Sequence, residues 1–86
     1  MGVGSESSGL QAVAIGTFAD ALAGSSVALG SNTDAVGDQS VALGFSADAL
    51  AASSVAVGAN SQATEANTVS VGAAGSERRI VTVAAA

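Results

Sequence analysis

Hydrophobic and small residues alternate along this chain in short bursts that return on a strict beat. Val13-Ala14-Ile15-Gly16 is followed by Val27-Ala28-Leu29-Gly30, Val41-Ala42-Leu43-Gly44, Val55-Ala56-Val57-Gly58 and Val69-Ser70-Val71-Gly72, a step of 14 residues each time. A fixed period of this kind marks a repeat architecture. Each block reads apolar, small, apolar, Gly, and period-two alternation predicts a short strand. The large side chains are expected on the buried face, and Gly permits the turn that follows.

A unit of this length has room for a second strand. Eight residues after each Val stand Ala21, Ala35, Ala49 and Ala63, and two residues earlier stand Ala19, Thr33, Ala47 and Ser61. Small residues at alternate positions suit a strand that closes over the first across a thin interior. The unit is then one coil of a parallel β-solenoid, with Val stacked on Val and Ala on Ala about 4.8 Å apart. The predicted boundaries are an imperfect edge coil near 1–12, coils at 13–26, 27–40, 41–54 and 55–68, and a last strand at 69–72. The pattern changes after Gly72: the Ala column meets Glu77, and Arg78 and Arg79 are the chain's two positive charges.

Composition agrees with stacking rather than disorder. Hydrophobic residues make up 49% and charged residues 10%, the reverse of the disordered signature. The aromatic side chains are Phe18 and Phe45 alone. One Val and one Ile or Leu per coil is a thin core, and small chains commonly draw on disulfides, metals or oligomerisation. Cysteine is absent, so oligomerisation is the expected source of further burial. Leu22, Val36 and Leu50, each next to an Ala of the second strand, are expected to point outward as an oligomer seam.

The charge of −5 with no Lys leaves no basic patch for nucleic acid or anionic lipid. No apolar run reaches the ~20 residues of a membrane helix. No signal peptide is visible, which fits a cytosolic chain or a piece of a longer one. Catalysis is not expected: His, Cys, Lys and Tyr are missing, and no Ser has a base beside it. No cofactor is implied. An ice-binding ladder is excluded because Thr17, Thr33, Thr64, Thr68 and Thr82 scatter over different columns. Hexapeptide acyltransferase solenoids have a period of six, which does not divide this one.

The repeat Ser-Val-Ala-(Ile/Leu/Val)-Gly-x-x-(Ser/Thr/Ala) resembles the YadA-like head repeat of trimeric autotransporter adhesins. Val69-Ser70-Val71-Gly72 through Gly75-Ser76-Glu77-Arg78-Arg79-Ile80-Val81-Thr82-Val83-Ala84-Ala85 resembles that family's neck motif. The resemblance implies an all-β, left-handed parallel β-roll over residues 1–72, homotrimeric, with a neck at 73–86 leading toward a coiled-coil stalk not present here. It implies an extracellular fragment of a bacterial surface protein, held to the outer membrane through a C-terminal anchor outside this sequence. Its work would be attachment to host matrix such as collagen, to host cells, or between bacteria; the alternative is a spacer for a distal adhesive domain.

Ligand contact is expected, if anywhere, at residues between the large apolar ones: Ser40, Ala42, Ser54, Ala56, Asn60 and Ser61. The competing reading is that Val and Leu fill the coils and Ser satisfies turn amides. Glu77, Arg78, Arg79 and Ile80 are expected to make neck and trimer contacts. Arg78 and Arg79 should pair with Glu77, Glu65 or a neighbouring chain's carboxylates. Asp20, Asp34 and Asp48 share a column, read as a solvated acidic edge rather than a Ca²⁺ ladder because Gln62 interrupts it. Phe45, if exposed, becomes a contact candidate.

Overall fold

The computed structural model describes residues 3–85. Ten short strands form in chain order: β1 (Glu6–Ser7), β2 (Val13–Ile15), β3 (Asp20–Ala21), β4 (Val27–Leu29), β5 (Asp34–Ala35), β6 (Val41–Leu43), β7 (Asp48–Ala49), β8 (Val55–Val57), β9 (Gln62–Ala63) and β10 (Val69–Ser70). The odd strands make one sheet and the even strands another. All pairings are parallel and in register: Val13 sits on Val27, Val27 on Val41, and Ala21 on Ala35. The chain is a parallel β-solenoid of 14-residue coils.

The turns stack as well as the strands. The Asn32 amide donates to the Thr17 carbonyl at 2.9 Å, Ser46 to Ser31 at 2.9 Å and Asn60 to Phe45 at 2.8 Å. Each donor has a positive φ, and such residues recur at 11, 18, 25, 32, 39, 46, 53, 60 and 67. The step is seven, so each coil is two equivalent half-coils, each bent by one left-handed residue. Left-handed backbone is disfavoured for residues with a Cβ, and Asn tolerates it best; Asn fills three of these corners. Gly16, Gly30 and Gly44 are also bent this way, and a Cβ on Gly16 would lie 2.6 Å from the Gly30 carbonyl.

The alternation runs opposite to the sequence expectation. The buried residue of β2, β4, β6 and β8 is the middle alanine, Ala14, Ala28, Ala42 or Ala56, and Val, Ile and Leu face out. The odd strands bury Ala21, Ala35, Ala49 and Ala63. A second buried column holds Ala19, Ser26, Thr33, Ser40, Ala47, Ser54 and Ser61. Corners this tight hold the sheets close together, and the space between them is filled by Ala and Ser, with Thr33 the largest side chain enclosed. Overfilling a packed interior costs strain.

Most of the buried hydroxyls donate to backbone carbonyls; Ser40 Oγ has no partner, and Ser61 Oγ donates to the Val57 carbonyl at 2.7 Å and also accepts from Arg78. Ser26 Oγ donates to the Ala23 carbonyl at 2.7 Å, Thr33 Oγ1 to Gly30 at 2.9 Å and Ser54 Oγ to Ala51 at 2.7 Å. They serve turn carbonyls, not the turn amides expected from sequence. Burial of a hydroxyl is tolerated because the bond replaces water.

The stack ends after Gly72. The Gln62 amide donates to the Gly72 carbonyl at 3.0 Å, whereas Asp48, one coil earlier, donates to Ser61, thirteen residues on. The chain therefore turns under the last coil sooner than a further repeat would. A Cβ on Gly72 would lie 2.5 Å from the Ser76 carbonyl, so the tight turn requires glycine. Residues 77–85 are exposed and form no strand.

Candidate interaction surface

With alanine inside, the large side chains make ladders on the outside. The even-strand sheet carries two of them, Val13-Val27-Val41-Val55-Val69 and Ile15-Leu29-Leu43-Val57. Ile15 is 48% exposed and Val69 66%. No charged residue interrupts either ladder. The odd-strand sheet carries Leu22, Val36 and Leu50, all exposed as the seam expectation required.

Beside Leu22, Val36 and Leu50 runs the column Glu6-Asp20-Asp34-Asp48-Gln62. Partial burial pushes the Asp34 carboxyl above its ordinary value, reinforced by the charges of Asp48 and Asp20 and by a hydrogen bond with Asp48. Partial burial also raises Asp48, but that same hydrogen bond opposes the rise. Both carboxyls of this adjacent pair therefore titrate above the ordinary carboxylate range. Among the described residues no group of three or more carboxylate, His or Cys side chains is placed to hold a metal ion.

The expected ligand contacts fall in different places. Ser40, Ala42, Ser54, Ala56 and Ser61 are fully enclosed. The expectation that residues between Val and Leu face a ligand fails for these five, for the same reason that Val and Leu lie outside. Asn60 is exposed at a corner. Glu77, Arg79 and Ile80 are exposed, and Glu77 Oε2 accepts from the Gly75 amide at 3.2 Å.

Arg78 corrects a second expectation. Within the chain its guanidinium binds neutral oxygens: Nη2 donates to the Ala59 carbonyl at 2.8 Å, and Nη1 to the Val71 carbonyl at 3.1 Å and Ser61 Oγ at 3.2 Å. It lies against Gly58, where a Cβ would stand 2.8 Å from its Cζ. The side chain closes the end of the stack, satisfying acceptors that have no further coil above them. An arginine with several fixed donors suits this role.

One feature escaped the sequence reading, the seven-residue step visible in Ala14, Ala21, Ala28, Ala35, Ala42, Ala49, Ala56 and Ala63. Phe45, a contact candidate if exposed, is 55% exposed, as is Phe18 on the same corner line between the even and odd strands. Phe18 lies over Gly4, where a Cβ would meet its ring.

A two-sheet parallel solenoid with a small-residue interior and apolar outer ladders is a stacking, surface-presenting repeat. The family model for the YadA head domain repeat, in two copies, matches residues 1–19, 7–33, 21–47 and 49–74. The chain belongs to the YadA head domain repeat family, an adhesin-type, non-enzymatic family of trimeric autotransporters whose members are generally homotrimeric. A search against curated proteins gives no match.

Proposed function

We propose that this chain is the head of a bacterial surface adhesin, working as a left-handed, homotrimeric β-roll that attaches the cell to host matrix, host cells or other bacteria. The observation that carries the reading is the pair of uncharged apolar ladders on the even-strand sheet. A contiguous apolar face of this kind marks an association surface, and a rod with an alanine interior gains burial most readily from copies of itself. In this reading the even-strand face, rather than the ladder of Leu22, Val36 and Leu50 expected from sequence, is the seam between three chains. Residues 73–86 are the neck, in which Glu77, Arg79 and Ile80 meet neighbouring chains and Arg78 closes the coil. Weak sites repeated over three chains gain through effective concentration. Host ligands such as collagen belong to this proposal.

Light scattering on the purified chain tests the assembly, with a trimer expected and a stable monomer overturning it. A solid-phase assay against collagen, fibronectin, laminin and whole cells tests adhesion. A spacer role is the second reading, favoured by the enclosure of Ser40, Ala42, Ser54, Ala56 and Ser61. A trimer that binds none of these surfaces is the outcome that selects it.

A further inference from the structure

The odd-strand sheet faces away from the apolar ladders of the even sheet, and its outward residues form two columns of different chemistry. Asp20, Asp34 and Asp48 stack in one, half-buried. Leu22, Val36 and Leu50 stack in the other, exposed, and their amides carry the parallel bonding one residue past each strand. Rungs are about 4.8 Å apart and the columns about 6.6 Å apart. Asp38 is exposed two residues past Val36, on the far side of the apolar column. The chain's two cations come after the last coil, and Arg78 is held there by the Ala59 and Val71 carbonyls. The apolar column is therefore framed by carboxylates with no counter-charge in either column. Asp34 is held above its ordinary value by partial burial and by the charges of Asp48 and Asp20. A cation laid beside the column would offset that repulsion.

An occupant of this face needs apolar side chains in a line and cations beside them. From Leu22 to Leu50 the apolar column spans about 9.6 Å. On an α-helix, residues i, i+4 and i+7 share one face and span about 10.5 Å. An extended strand laid along the rod repeats its face every ~6.7 Å and falls out of step with the rungs. Lys and Arg stems lie along apolar surface while their charges reach sideways, here toward the carboxylates. The rungs from Glu6 to Gln62 cover about 19 Å, the length of ~13 helical residues. We propose that the odd-strand face docks a cationic amphipathic helix of a partner protein, laid along the rod with its apolar stripe on Leu22, Val36 and Leu50. The proposal rests on the adhesive-head reading, in which the even-strand seam leaves this face outside the assembly.

The test uses the assembled chain and fluorescence anisotropy with labelled Leu/Lys peptides of about 14 residues. A peptide with leucines spaced i, i+4, i+7 is expected to bind and to gain helical circular dichroism as it does. A shuffled peptide of the same composition, lacking the stripe, should bind about tenfold more weakly. Leu22→Thr with Leu50→Thr repeats the residue that the same column holds at position 64. This pair should weaken the striped complex about tenfold with the thermal melt unchanged. Asp34→Asn with Asp48→Asn should weaken it about threefold and reduce its salt dependence. Equal binding of the two peptides would reduce the effect to net charge and overturn the proposal. So would no binding of the striped peptide, or an affinity unmoved by the paired Leu22 and Leu50 changes. A trimer that persists in light scattering through any of those results leaves the adhesive-head reading standing.

Discussion

The two sheets share one interior and differ outside. Even and odd strands bury the same alanine column and are bent by the same left-handed corners, so inwardly the rod repeats every half-coil. Outwardly the even sheet shows two apolar ladders, whereas the odd sheet pairs one apolar ladder with carboxylates. The interior obeys packing, which is identical on both sides. The exterior is free of that demand, so it can carry the difference between a face for copies and a face for solvent.

The comparison breaks first if the outer faces are exchanged. Val27→Lys with Leu43→Lys should abolish the trimer, while Leu22→Lys with Leu50→Lys should leave most of it assembled; light scattering at matched concentration reads both. The reverse pattern would move the seam to the odd sheet.

The shared interior predicts equal damage on either sheet. Ala42→Leu and Ala49→Leu should each cost about 3 kcal/mol in thermal or denaturant unfolding, because neither sheet can retreat without breaking its corners. A large gap between the two would mean that the half-coils are not equivalent.

Loss of the end cap comes next. Arg78→Ala removes three hydrogen bonds and leaves the Ala59 and Val71 carbonyls to water, at a cost of about 1–2 kcal/mol. Arg79→Ala should cost less of the single-chain stability. A double change that leaves trimer melting untouched would remove both arginines from the proposed neck contacts.

The smallest effect concerns the carboxylate column. Asp34 and Asp48 titrate above their ordinary value in the folded chain. A carboxyl raised on folding stabilises fully below its unfolded value, and the benefit fades as pH rises through the folded one. The melting temperature should therefore be higher in mild acid than at neutral pH. Asp34→Asn should flatten that slope and raise the neutral melting point slightly; a steeper slope would contradict the upward shift of Asp34.

Much of this was legible in the residues. The repeat Val-(Ala/Ser)-x-Gly, held at a constant step, dictated coils, their length and their register, because only stacking satisfies so regular a chain. Alternation could not say which of its two faces was inside. Large residues are buried by default, and here that default fails. The same inversion hid the candidate surface: Ser40, Ala42, Ser54 and Ala56 were placed outward and lie inside. Arg78 illustrates a different gap, since its partners Ala59 and Val71 are backbone carbonyls, which no side-chain pattern announces.

The sequence alone determined period, parallel stacking and the glycine turns, because these follow from the identity of residues at equal spacing. The direction each face points was decided only in three dimensions. The separation of the two sheets is set by how sharply corners such as Asn32 and Ser46 bend, and across that gap the strands turn alanine inward and leave valine and leucine outside.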